Sequence, residues 1–211
     1  MINKDFKYPS TKILVFAKAP EEGKVKTRLA SSIGDKAALS FHEQMLERTL
    51  ETACKYKLAS VELHVSGNTD HSLIQSLAIQ YDIIVRAQYG SDLGERMYYA
   101  LEQSLLGCRY CVLIGTDCPT MNVDYLANAF TALIRGQDVV LGPAEDGGYV
   151  LIGVRQASRD WFNNIAWGSR HVLEQSRQKI LANGAQLEEL QPLWDVDQIT
   201  DFQRWQLQTG M

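Results

Sequence analysis

Short, continuous apolar runs alternate along this chain with longer segments whose apolar residues recur at helical spacing, and this alternation is what narrows the possible folds most. The short runs read as strands buried on both faces and the longer segments as crossover helices, so a layered α/β domain on a largely parallel sheet is expected. Lys12-Ile13-Leu14-Val15-Phe16-Ala17 is the first run, and a loop with Pro20 and Gly23 follows it. A helix is expected over 35–57, with Phe41, Met45, Leu46 and Leu50 on one face. Strands over 61–65 and 82–85 bracket a helix over 73–80, and an amphipathic helix over 93–106 ends before Gly107. The strand over 111–114 runs straight into Gly115-Thr116-Asp117-Cys118-Pro119, and a helix over 123–135 follows.

One pair of strands breaks the parallel pattern. Runs over 138–141 and 149–152 are joined by a short connector rich in Gly and Pro, whereas a parallel crossover needs a dozen or more residues. These two strands should run antiparallel, which makes the sheet mixed. A dinucleotide-binding fold is disfavoured for the same reason and because no G-x-G-x-x-G follows the first strand. A helix over 169–183, a strand over 186–190 and a last helix over 200–208 complete the reading. No repeat or linker divides the chain, so residues 1–211 are expected to form one domain, able to bury about 70% of the surface of the unfolded chain.

Charge excludes some partners. With 21 basic against 25 acidic side chains and a net charge of −4, the chain lacks the basic excess that tracking a nucleic-acid backbone requires, so any phosphate binding must be local. No apolar run approaches the roughly 20 residues of a membrane helix, and the opening MINKDFKYPSTK is too polar for a signal peptide. A cytoplasmic location without a membrane span is expected, and there Cys54, Cys108, Cys111 and Cys118 should be reduced. Cys108-x-x-Cys111 lacks the neighbouring ligands of a zinc site, and His42, His64, His71 and His171 form no spaced pair.

Six segments are candidates for chemistry. Lys18, Lys24, Lys26 and Arg28 fall with Gly23 in one loop directly after the first strand; this is a phosphate cradle or a solvated basic loop, and the position after a strand favours the former. Asp117 stands at a strand's carboxyl end, where open α/β sheets hold their ligands, and suits Mg²⁺ or Mn²⁺ between substrate phosphates as well as it suits a turn. Asp195 and Asp197 offer a second carboxylate, or a cap for the last helix. Glu145 and Asp146 are candidate bases in the strand connector, where Gly147, Gly148 and Tyr149 allow close approach of an acceptor or simply turn the chain. In Asp92-Leu93-Gly94-Glu95-Arg96 the polar groups at a helix start cap it or meet a ligand's polar edge, and Trp167 either walls a pocket or packs the core.

Read together, KAPEEGKVKTRL (18–29), DLGERM (92–97), LIGTDCP (113–119), LGPAEDGGYVLIG (141–153), IAWG (165–168) and DVDQITDF (195–202) resemble a bacterial glycosyltransferase-like family, including an arsenosugar-biosynthesis type, within the nucleotide-diphospho-sugar transferase superfamily. The resemblance runs from about residue 12 to 205. It implies a Rossmann-like three-layer α/β/α sandwich of the glycosyltransferase-A type that binds a nucleoside triphosphate or nucleotide-sugar with Mg or Mn. By the same resemblance Lys18, Lys24, Lys26 and Arg28 would hold phosphates, Asp117 would be the metal aspartate, and Asp195 or Asp197 would match a terminal D-x-D-T-like motif. Gln198 stands where threonine is common there, and Thr116-Asp117-Cys118 offers one carboxylate where metal-dependent glycosyltransferases often carry two. The function expected is glycosyl transfer from a nucleotide-sugar to a small acceptor. Nucleotidyl transfer from a triphosphate to a phosphorylated small molecule, and nucleotide binding without turnover, stay open, and the oligomeric state is not indicated.

Overall fold

The computed structural model describes residues 5–210, and residues 1–4 of the polar opening segment and residue 211 lie outside the described residues. Its strands are β1 (Thr11–Lys18), β2 (Ser60–Ser66), β3 (Ile84–Ala87), β4 (Tyr110–Gly115), β5 (Val139–Pro143), β6 (Tyr149–Val154) and β7 (Leu187–Glu189). Its helices are α1 (Thr27–Ile33), α2 (Asp35–Cys54), α3 (Ser72–Tyr81), α4 (Leu93–Leu105), α5 (Val123–Arg135), α6 (Val172–Ala182) and α7 (Ile199–Thr209), with a 3-10 turn at Arg159–Trp161. The strands form one sheet in the order β3-β2-β1-β4-β6-β5-β7. All pairings are parallel except those of β6, which runs antiparallel to both β4 and β5. The short connector therefore has the predicted effect on the sheet.

Alternation along β1 builds the three layers. Ile13, Val15 and Ala17 point into a core shared with α2, α3 and α5, whereas Leu14 and Phe16 point into a second core shared with α4 and α6. A strand buried on both faces has no polar side to expose, which is why the run is apolar without interruption. A third cluster joins Leu29 of α1, Phe41 and Met45 of α2, Trp194 and Val196, and Trp205 of α7. That cluster packs the segment after β1 against the segment before α7.

Several boundaries differ from expectation. The basic segment is not wholly loop, because α1 begins at Thr27 and carries Arg28 in its first turn. Its seven residues are too few to show helical periodicity. Asp82 is left-handed at the end of α3 (φ 51°), which delays β3 to Ile84. Ser169 belongs to a turn in which its Oγ accepts from the His171 amide at 3.2 Å, so α6 starts at Val172.

Candidate functional site

The chain passes from β1 outward to β2 and β3, then returns to the other side of β1 as β4. This reversal leaves a crevice beyond the carboxyl ends of β1 and β4, where ligands of open α/β sheets bind. A cavity of about 500 Å³ fills it, lined by Lys18 and Lys26 from the segment at and after the end of β1 and by Gly115, Thr116 and Asp117 at the end of β4. Arg28, Arg96, Asp195 and Asp197 add to its polar lining.

Lys26 organises this half of the cleft. Its Nζ donates to the Val196 carbonyl at 2.5 Å and pairs with Asp117 Oδ1 at 2.7 Å, and its side chain is only 3% exposed. It occupies the residue before α1 with a left-handed backbone (φ 47°), which turns the chain so that the ammonium points inward while the helix begins. The Val196 amide donates to the Asp117 carbonyl at 2.9 Å, fixing the terminal carboxylate segment against β4. Asp195 and Asp197, on either side of Val196, take different partners. Asp197 Oδ2 accepts from Arg28 Nη1 at 2.7 Å. Asp195 lies instead toward the other acids: burial first, then the Asp146 and Asp117 carboxylates, push its carboxyl up to about 6. His42 also lines the cavity, with its Nε2 3.0 Å from the Lys18 carbonyl oxygen, and burial lowers its pKa.

The cleft continues past Phe16, Gly115 and Tyr149, which line both halves, into a smaller cavity of about 200 Å³. Here the lining is mainly apolar: Met97, Leu113, Ile152, Tyr149 and Trp167 make up much of it, with Asp146 and Gly148 at one side. The rings of Tyr149 and Trp167 meet edge to face at 6.3 Å. Asp146 Oδ1 accepts from the Gly148 amide at 2.8 Å, which shapes the tight turn. Gly147 has φ +90°, and a Cβ there would sit 2.2 Å from the Arg170 carbonyl oxygen, so no larger residue fits.

The predicted site residues divide accordingly. Lys18, Lys26, Arg28, Asp117, Asp195 and Asp197 line the larger cavity, Asp146, Gly148 and Trp167 the smaller, and Leu93 and Tyr149 both. Gly23 and Lys24 lie away from both, Lys24 pairing with Glu21 on the exposed side of the loop. Glu145 is turned outward into a two-bonded pair with Arg204 (2.7 and 3.2 Å), whose guanidinium lies 4.3 Å from the Trp194 ring centre. Gly94 is a packing position, since a Cβ there would meet Trp167 Nε1 at 2.7 Å and the Phe162 carbonyl oxygen at 2.8 Å. Asp92 caps α4 by accepting from the Glu95 amide.

Sequence reasoning left the polar groups of Asp92–Arg96 open between capping and a ligand's polar edge and did not single out Arg96, whose Nη1 donates to Ser66 Oγ at 3.1 Å on the cavity wall. Its spacing of three from Leu93 in a helix was an available signal, because such residues share a face. Gln88 was missed. Its Nε2 donates to the Ala17 and His64 carbonyls near the carboxyl ends of two strands, a position that no spacing encodes.

Asp117 and Asp195 supply the hard oxygen donors that Mg²⁺ or Mn²⁺ prefers, and their mutual crowding with Asp146 is the kind of charge a cation offsets. Among the described residues no three or more Asp, Glu, His or Cys side chains gather so as to hold a metal by themselves. The donor set thus fits a cation that completes its shell with phosphate oxygens and water.

Comparison with known proteins agrees with this architecture. A family described as an uncharacterized protein conserved in bacteria (DUF2064) matches residues 49–169, more than half of the chain. The crystal structure of a "putative nucleotide-diphospho-sugar transferase" from Desulfovibrio desulfuricans G20 is 31% identical, with a TM-score of 0.83 over 92% of this chain and 84% of that one. The 4-diphosphocytidyl-2C-methyl-D-erythritol synthase of Anaerococcus prevotii DSM 20548 is 11% identical, with a TM-score of 0.63 over 95% of this chain and 98% of its own. The inositol-1-phosphate CTP transferase of T. maritima is 12% identical, with a TM-score of 0.56 over 90% of each chain. These last two share the fold. No curated protein matches the sequence.

Proposed function

The chain belongs to the family described as uncharacterized protein conserved in bacteria (DUF2064), and we propose that it is a transferase that takes a nucleotide-sugar into the cation-lined half of its cleft and passes the glycosyl group to a small acceptor in the apolar half. The observation that carries this reading is the division of one continuous cleft into two chemistries. Lys18, Lys26, Arg28 and Arg96 face Asp117 and Asp195 on one side, and Met97, Tyr149 and Trp167 wall the other. Such a division suits a ligand that is anionic at one end and an acceptor that is not.

In this reading Arg28 and Lys18 grip the donor diphosphate, Arg28 being able to do so bidentately. Lys26 uses two of its three N–H donors on Asp117 and Val196, which leaves one for a phosphate oxygen. Asp117 and Asp195 would hold Mg²⁺ or Mn²⁺, which when bound neutralises charge on the leaving diphosphate. Asp146 orients the acceptor hydroxyl and takes its proton as that oxygen bonds to the anomeric carbon. The bond from that carbon to the diphosphate oxygen breaks, and its electron pair leaves with the diphosphate.

Nucleotidyl transfer to a phosphorylated small molecule would use the same donor half. Against it, no Lys, Arg or His among the described residues lines the smaller pocket, so a second phosphate finds no cation there. A nucleotide-binding protein without turnover leaves Asp146 and the apolar pocket without a task. We assign the protein to the cytoplasm, where its four free thiols would stay reduced; no helix among the described residues is long and apolar enough to cross a membrane.

The test is calorimetric titration with nucleoside diphosphate-sugars, triphosphates and diphosphates in Mg²⁺, in Mn²⁺ and in chelator. Metal-dependent binding of a nucleotide-sugar supports glycosyl transfer. Preference for a triphosphate would move the reading to nucleotidyl transfer, equal binding with and without metal would favour a sensor, and no binding at all would overturn the proposal.

A further inference from the structure

The smaller pocket has a size and a polarity that restrict its occupant. Phe16 of β1, Leu113 of β4 and Ile152 of β6 project from one face of three adjacent strands, and Met97 and Trp167 close over them. Gly115 follows Leu113 on that face, and a Cβ built there meets nothing within 4 Å. A glycine in this strand thus leaves a gap beside Phe16 through which the pocket joins the donor cleft.

The cavity, at about 200 Å³, is larger than the roughly 150 Å³ apolar cavity that admits benzene. Of its polar side chains Asp146 is exposed and Ser169 half-buried, and the Tyr149 hydroxyl and Trp167 Nε1 are the other side-chain polar atoms of its lining. A polyhydroxylated ring inside would place most of its hydroxyls against Met97, Leu113 and Ile152, and each one left without a partner would cost on the order of tenfold in affinity.

Resting on the transferase reading above, we infer that the acceptor carries one apolar, ring-sized group that enters this pocket. Its attacking hydroxyl stays at the mouth beside Asp146, within reach of the donor through the Gly115 gap. The walls Phe16, Met97, Leu113 and Trp167 then set acceptor specificity, and the group transferred is held outside them.

The experiment is saturation-transfer NMR on the full chain with two probes, p-cresol and methyl α-glucoside, run beside the nucleotide titration. Saturation transfer to p-cresol and none to the glucoside is expected. Val172→Phe, which fills the pocket from the first residue of α6, should weaken the p-cresol signal at least fivefold. Trp167→Ala, which removes a wall, should weaken it as well and serves if Val172→Phe melts at a lower temperature than the parent. A glucoside signal equal to or larger than that of p-cresol, or a p-cresol signal unchanged in both variants, overturns the inference. If nucleotide-sugars still bind in that case, the transferase reading survives without it. If p-cresol binds but no nucleotide binds in the titration, the donor reading falls and, with it, the acceptor role of the pocket.

Discussion

Lys26 Nζ stands 2.7 Å from Asp117 Oδ1, joining residues 91 positions apart in the sequence, and its bond to the Val196 carbonyl draws in a third segment. One buried ammonium thereby ties the turn after β1, the end of β4 and the carboxylate segment before α7.

The two partners of this pair should fail differently. Asp117 is half-exposed, so Asp117→Asn is expected to leave the unfolding midpoint within a few degrees while lowering turnover at least a hundredfold. Lys26→Met strips a buried carbonyl of its donor and should cost about 1–3 kcal/mol, measured by urea denaturation, in addition to weakening nucleotide binding. Full activity in Asp117→Asn would remove that residue from the site.

Glu145 and Asp146 are neighbours with different fates. Glu145 is spent on Arg204 at the surface, so Glu145→Gln should cost no more than about 1 kcal/mol and change turnover less than twofold. Asp146→Asn should reduce turnover by about 10²–10⁴, the range for loss of a general base. Comparison of initial rates for the two variants decides, and a larger loss in Glu145→Gln would reverse the assignment.

Gly147→Ala forces a Cβ to 2.2 Å from the Arg170 carbonyl oxygen in a backbone conformation (φ +90°) that alanine disfavours. A destabilisation of at least about 2 kcal/mol is expected from strain and displaced backbone together, read as a lower denaturation midpoint at unchanged slope. Gly23→Ala has the same positive φ but nothing within 4 Å, so it should cost only about 1 kcal/mol.

Acid should unfold the protein partly through Glu62. Burial would raise its pKa, but hydrogen bonds from His64, Lys12 and Arg86 prevail and hold the carboxyl well below the usual range. A carboxyl depressed in the folded state stabilises the protein above its unfolded pKa of about 4.5, and that contribution is lost as pH falls below it. The stability advantage of the parent over Glu62→Gln should therefore be full at pH 7 and shrink progressively below about pH 4.5. A difference that stays constant from pH 7 to pH 3 would show that the ionised form is not what Glu62 contributes.

Much of the fold was legible in local pattern. Both-sided burial left β1 and β4 as uninterrupted apolar runs, and the short connector before Tyr149 permitted only an antiparallel return. The motifs at Lys26, Asp117, Asp146 and Asp195 were also visible, since charged residues next to strand ends stand out against apolar runs. Helix α1 was not, because seven residues carry too little periodicity.

The separation of residues within each motif lay beyond the chain's local signals. Lys24 and Lys26 are two positions apart in one basic loop, yet one faces solvent and the other is buried against Asp117, and only the left-handed turn at Lys26 and the packing of α1 on Trp194 and Val196 make that difference. In the same way Asp195 and Asp197 are equivalent as text, and only the folded course of the segment, pinned at Val196 by Lys26 and by the Asp117 carbonyl, sends one toward Asp117 and the other to Arg28. Arg96 and Gln88 reach the cleft from segments that meet it only after the sheet has assembled. Sequence periodicity reports which side of an element is apolar because burial acts residue by residue, whereas the meeting of charges depends on long-range packing that no local spacing encodes.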